Sequence, residues 1–311
     1  MKVKTEKQIR KRKKLTTYEL QMYSLLVIPL LLVFVFSYLP MGGIIIAFKD
    51  YKYNLGIFGS QWVGFDNFKF FFVSDAFARI TWNTLSMNFL FIVLGHAAAV
   101  FIAILLFELK SRLSTKVFQT VMITPHFVSW VIAAYIVYAF LNSYGVANTI
   151  IKSMGGQPID WYTKPEYWPF ILVICNLWKH IGMNSVMYYA GLMGIDSTLF
   201  EAAEIDGANK VQITKNIILP LLVPMMTILI ILAIGGIFRA DFGLFYNVPR
   251  NVGLLYKTTD VIDTYIFRAM RELGDMGMSS AVGLLQSVVG FAMVMLTNSI
   301  SKKINPDNAL F

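Results

Sequence analysis

Six apolar runs, each near or above the roughly 20 residues an α-helix needs to cross a hydrocarbon core about 30 Å thick, occupy most of the chain: 20–48, 82–107, 118–141, 167–190, 221–238 and 278–299. In lipid the backbone must satisfy its own hydrogen bonds, so such runs fold as helices. The fold class expected is an all-α integral membrane protein with six transmembrane helices and a long polar loop between spans four and five. Composition agrees, since 57% hydrophobic and 14% charged residues leave too little charge to cover a water-facing surface. The chain then divides into a basic segment 1–19, a six-span region 20–299 containing the loop 191–220, and a tail 300–311.

The 27 Lys and Arg exceed the 18 Asp and Glu, which by itself could suggest nucleic acid as partner. Eight of those bases, however, crowd into residues 1–19, a pattern that suits a membrane-surface anchor and no nucleic acid. With the N-terminus inside, inner segments carry 15 Lys/Arg in 71 residues and outer segments 11 in 97, as the positive-inside bias requires. Both termini and the 191–220 loop are therefore expected in the cytoplasm. The first apolar run is too long for a cleaved secretory signal and lacks its small-residue cleavage site. The single cysteine, Cys175, allows neither a disulfide framework nor a cysteine metal cluster. No phosphate-binding G-x-x-x-x-G-K-[ST] occurs, and His96, His126 and His180 fall on different spans without metal-ligand spacing. No cofactor is expected in this chain, and any energy must come from a partner or a gradient.

The loop has its own local code. Thr198 and Glu201 fit a capping box, which predicts a helix starting at Thr198. Gly207 supplies the left-handed position that ends it. A second helical piece from Asn209 reaches Pro220, where the next span begins, so the loop should form a small helix-turn-helix across the cytoplasmic face. Asp196, Glu201, Glu204 and Asp206 face only Lys210 and Lys215. An acidic surface is repelled by anionic inner-leaflet lipid, which favours a protein groove as its seat.

Glu201-Ala202-Ala203, Asp206-Gly207-Ala208, Ile217 and Leu219-Pro220 stand at the spacing of the EAA loop, and on these residues the chain resembles the permease subunits of type I ABC importers. The resemblance implies a non-catalytic membrane subunit whose loop is a coupling helix seated in an ATP-hydrolysing partner. Glu201, Ala202, Ala203, Asp206, Gly207, Ala208, Leu219 and Pro220 are its coupling residues. It also implies two ATPase subunits that bind ATP and Mg, a second permease subunit, expected to be a different chain, and an extracytoplasmic solute-binding protein, with the whole in a bacterial cell membrane. VGFDNF at 63–68, RELGDMGMSSAVGLLQSVVG at 271–290 and the terminal NALF are similar to the carbohydrate class, in particular the subgroup that works with lipid-anchored binding proteins for oligo- and polysaccharides.

The residues also point to a polar solute. Asn176, Lys179, His180, Met183, Asn184 and Met187 recur at helical spacing on one face of span four. Lys179 is the only Asp, Glu, Lys or Arg in the six proposed spans; such a charge costs about 2.5–3.5 kcal/mol on insertion scales and turns to a bundle interior or a water-filled path. Two readings of Lys179 stay open, a pathway contact or a structural, partnered lysine, and His180 is open in the same way. Asn176 and Asn184 suit a sugar, because an amide both donates to and accepts from hydroxyls. Trp178 offers a ring for stacking. Gln286 and Ser287 come from span six, and Arg239 and Asp241 from the outer end of span five, where they either line the pathway or pair with each other. Three other readings share parts of this pattern: an importer permease for peptides or amino acids, a stand-alone transporter or channel, and an intramembrane enzyme, the last lacking any acid/base or metal constellation.

Overall fold

The computed structural model describes residues 16–73, 75–109 and 111–304. The basic segment through residue 15 and the NALF terminus lie outside them.

Each long apolar run is helical. Its helices are α1 (Thr17–Val33), α2 (Asp66–Val73), α3 (Asp75–Phe107), α4 (Arg112–Phe127), α5 (Trp130–Leu141), α6 (Val146–Ser153), α7 (Trp168–Leu192), α8 (Ser197–Ile205), α9 (Lys210–Ile213), α10 (Leu219–Gly235), α11 (Phe242–Asn247), α12 (Ile262–Arg268) and α13 (Met276–Ile304). Among the described residues, six stretches are long and apolar enough to cross a membrane: Gln21–Phe48, Ala76–Phe107, Trp130–Ser153, Pro165–Leu192, Lys210–Gly235 and Met276–Lys303.

Two spans contain a π turn, and each lies directly before a proline. Phe34–Tyr38 precedes Pro40 and Thr214–Ile218 precedes Pro220. Proline has no N–H to give the carbonyl four residues back and its ring crowds that carbonyl. The helix widens instead of breaking, with Leu39 N–H donating to the Phe34 carbonyl and Leu219 N–H to that of Thr214. Residues 210–220, expected as the second limb of a loop, are thus the first turns of the span-five helix.

The proposed span 118–141 is not one helix. Pro125 sits in the last turn of α4, Val128 and Ser129 are extended, and α5 starts afresh with the Ser129 hydroxyl accepting from Ile132 N–H at 3.3 Å. The carbonyls freed by this break find a donor in α7: Lys179 Nζ donates to the His126 carbonyl at 3.0 Å and to the Val128 carbonyl, with its ammonium 5.1 Å from the Trp130 ring centroid. The lysine is only 8% exposed. Of the two sequence readings of Lys179, this is the structural one.

Small residues set the closest helix contacts. A Cβ at Gly182 would lie 1.8 Å from the Met122 carbonyl oxygen, so α4 and α7 cross backbone to backbone. At Gly290 it would lie 2.7 Å from the Gly235 carbonyl oxygen, joining α10 and α13 in the same way.

The segment after α10 does not leave the bundle as a simple loop. It folds back as α11 and α12 against α3, whose polar side chains take up its backbone. Asn88 donates to the carbonyls of Ile237 (2.7 Å) and Arg239 (3.0 Å), Asn83 to that of Asp260 (2.9 Å), and the Thr84 hydroxyl accepts from Ile262 N–H at 3.0 Å. Irregular backbone inside a membrane protein survives only where partners of this kind exist. The Asp260 carboxylate, buried, is held by Arg268 at 2.6 Å.

The two stretches VGFDNF and RELGDMGM, far apart in sequence, pack on each other. A two-stranded ribbon pairs β1 (Lys49–Asp50) with β2 (Gln61–Trp62). Asn67 of the first stretch caps the end of span one, donating to the carbonyls of Ala47 and Lys49 at 2.9 and 3.0 Å. Gly277 of the second lies so close that a Cβ would meet Asn67 Nδ2 at 2.7 Å.

Candidate functional site

Two regions carry the sequence-predicted residues, one at the α8 end of the bundle and one between α3, α7 and α10.

At the first, the cap of α8 lies two residues earlier than the capping-box reading placed it. Asp196 is the cap, its Oδ1 accepting from Thr198 N–H at 3.0 Å, and Thr198 lies inside the helix. An aspartate here both caps and opposes the positive helix end, and the hydrogen bonds from Thr198, backbone first, hold its carboxyl below the usual carboxylate range. A capping box does occur, one helix later: Asn209 Oδ1 accepts from Gln212 N–H (3.0 Å) while Gln212 Oε1 accepts from Asn209 N–H (2.7 Å).

Between the two caps the chain turns at Gly207, φ +76°. Ala208 N–H donates to the Ala203 carbonyl (2.9 Å) and Gly207 N–H to that of Glu204 (3.1 Å), the two bonds of a Schellman stop. Nothing lies within 4 Å of a Cβ at Gly207, so its left-handed backbone, and no crowding, calls for glycine.

Glu201, Ala202 and Asp206 are exposed, Ala203 and Ala208 half-buried, and Ile205 stands 87% exposed at the helix end. The opposite face is anchored. Phe200 packs on Phe107 with ring centroids 5.4 Å apart, and Lys210 Nζ reaches Glu108 Oε2 at 2.6 Å. Phe200, Ile213 and Leu219 join a core built on Tyr188, Leu192, Ile218 and Leu222, so the loop is packed against α3, α7 and α10 together. Pro220 is exposed in the first turn of α10.

In the second region, Asn176, His180 and Asn184 stand at i, i+4 and i+8 of α7 and line one cavity of about 280 Å³ with Asn88, Arg239 and Asp241. A neighbouring cavity of about 240 Å³ shares His96 and Asn184 and continues to Met187 and Tyr188. The Tyr188 hydroxyl and His96 Nδ1 are 2.7 Å apart, closing that wall.

Not all the predicted residues meet here. Lys179 belongs to the same helix but turns to the α4–α5 break, and Trp178 is outside the cavity lining. Arg239 and Asp241 do not pair with each other: Asp241 accepts from Trp130 Nε1 at 2.6 Å, lies 3.9 Å from His180 Nε2 and caps α11, whereas Arg239 donates to the Ser287 hydroxyl at 2.9 Å. Gln286 is buried and donates to the Phe238 carbonyl at 2.7 Å, bracing the backbone before Arg239. Sequence reasoning missed Asn88 and His96 as wall residues. The available signal was polar side chains, Asn83, Thr84 and Asn88, inside an otherwise apolar run.

A family profile described as "Binding-protein-dependent transport system inner membrane component" matches residues 92–306. The chain is 34% identical to Protein LplB of Bacillus subtilis, over 92% of this chain and 90% of that protein. It is 32% identical to the polygalacturonan/rhamnogalacturonan transport system permease protein YteP of the same organism, over 97% and 94%. A crystal structure of a bacterial ABC transporter involved in the import of the acidic polysaccharide alginate superimposes with a TM-score of 0.84 at 31% identity, covering 93% of this chain and 97% of that one. A second alginate transporter structure, in complex with a periplasmic protein bound to an alginate pentasaccharide, gives 0.83 at 32% identity, covering 92% and 96%. The chain belongs to the family of binding-protein-dependent transport system inner membrane components.

Proposed function

We propose that this chain is the permease subunit of an ATP-driven importer of oligosaccharides, passing solute by alternating access while separate ATPase subunits hydrolyse ATP. One observation carries the reading: α7 presents Asn176, His180 and Asn184 to a polar cavity and, at its far end, runs directly into the capped α8 loop. A push on the exposed Glu201–Gly207 surface is thereby delivered to the helix that lines the cavity, because Phe200, Ile213 and Leu219 leave little slack between loop and span. The names of the relatives support a saccharide as solute. LplB, YteP and the alginate transporters also cover nearly the full chain.

The partners follow from that reading. Each ATPase of a closing pair needs its own docking helix, so two permease subunits are required, and we favour a second, different chain. An extracytoplasmic, lipid-anchored binding protein delivers the solute. Both termini and α8 face the cytoplasm, as the Lys/Arg densities indicate.

The test is to isolate the complex through this subunit, identify its chains by mass spectrometry and reconstitute it with loaded binding protein. ATP-dependent saccharide uptake that is lost on Glu201→Lys is expected. Solute flux from this chain alone without ATP would exclude the reading.

A further inference from the structure

At the end of the bundle opposite α8, two cavities meet at one residue pair. The first, about 210 Å³, lies between α5 and α11 and is lined by Tyr135, Tyr138, Tyr246 and Arg250. The second, about 440 Å³, is lined by Asn142, Asp160 and Tyr162, and again by Tyr138 and Arg250. The Arg250 guanidinium lies 4.2 Å over the Tyr138 ring. It forms no ion pair among the described residues, although Asp160 lines the second cavity with it.

The backbone holds this arginine in place. Arg250 and Asn251 both adopt left-handed φ values, +57° and +50°, a conformation uncommon away from glycine and often found where a site is pre-shaped. Asn251 N–H donates to the Tyr246 carbonyl at 3.2 Å, and the Asn251 side-chain oxygen accepts from the Tyr256 hydroxyl at 2.9 Å. The turn is therefore fixed at the residue that follows Arg250.

We propose that this double cavity is an entry subsite for saccharides that carry carboxylates, that is, uronate units, with Arg250 as the anion contact. The inference rests on the carbohydrate reading above and adds the charge class of the solute. A guanidinium with one face on a ring keeps its N–H edges free, and two of them match the two oxygens of a carboxylate. The tyrosine rings offer apolar faces to the sugar C–H surfaces. Asp160, in the lining of the second cavity, is placed to accept from the hydroxyls, while Asn142 is held by its own backbone and shapes the wall. The other occupant such an arginine suits is an acidic side chain of the binding protein, and the test separates the two.

The probes are tetragalacturonate and its full methyl ester, which keeps the skeleton and removes the charge. Binding of each is measured by saturation-transfer NMR on the intact complex in nanodiscs, without binding protein, for the wild type, Arg250→Gln and Arg250→Lys. The free acid is expected to bind the wild type at least tenfold more tightly than the ester. Arg250→Gln should bring the acid down to the level of the ester and leave the ester unchanged, with Arg250→Lys between. Equal binding of acid and ester, or acid binding untouched by Arg250→Gln, overturns the subsite. Unchanged acid binding with reduced binding-protein-stimulated hydrolysis makes Arg250 a docking residue for that protein and likewise overturns it. Uptake of a neutral saccharide in such a case leaves the importer reading standing, whereas no saccharide uptake of any kind removes that reading and this subsite together.

Discussion

Lys179 Nζ lies 3.0 Å from the carbonyl oxygen of His126, spanning the break between α4 and α5 from the middle of α7. A single ammonium thus satisfies backbone that Pro125 and the extended Val128–Ser129 pair leave open. Lys179→Met removes the donor and strands two half-buried carbonyls, each costing up to about 1–3 kcal/mol when unpaired. The expected result is a lower unfolding midpoint in detergent, with uptake per folded molecule largely kept. Full stability combined with lost uptake would return Lys179 to the pathway.

Gly182 and Gly207 are glycines for different reasons, which a paired substitution exposes. Gly182→Ala forces a methyl into the Met122 backbone and should leave little folded protein in the membrane. Gly207→Ala has open space and meets only the left-handed backbone, a cost of about 1–2 kcal/mol. Its abundance should match wild type. Equal abundance of both variants would contradict the α4–α7 crossing.

Glu201→Lys and Gly207→Pro should each abolish uptake without loss of insertion, because both alter an exposed loop outside the packed core. Co-purified ATPase and uptake are measured on the same membranes. Wild-type uptake from either variant would remove the coupling role.

Asn176→Leu and Asn184→Leu each delete a donor and an acceptor from the central cavity at nearly constant volume. Transport should fall while hydrolysis stimulated by loaded binding protein persists in part, since α8 is unchanged. Normal transport by both would move the solute site toward Arg239 and Ser287.

Orientation is tested by thiol labelling in a Cys175→Ala background, with cysteines at Ser153, Lys257 and Lys302, all exposed. An impermeant reagent on intact cells should reach the first two and spare the third. Reaction at position 302 without permeabilisation reverses the topology.

The number of spans, the polar loop and its stop at Gly207 were legible in the chain itself, because each depends on neighbours within a few residues: run length against bilayer thickness, and a glycine where φ must be positive. The face Asn176–His180–Asn184 was legible for the same reason, as helical spacing alone aligns it. The partners of those residues were decided by tertiary structure. Lys179 shares that face by spacing, yet its ammonium goes to carbonyls that are left open only because the helix breaks 51 residues earlier, at Val128. Asp241 was open to pairing with nearby Arg239, and found Trp130 and His180 instead. Asn83 and Asn88 hold backbone more than 140 residues away in sequence. A hydrogen bond is set by distance in space, and local periodicity says which side of a helix a group leaves from, while the fold alone says what waits there.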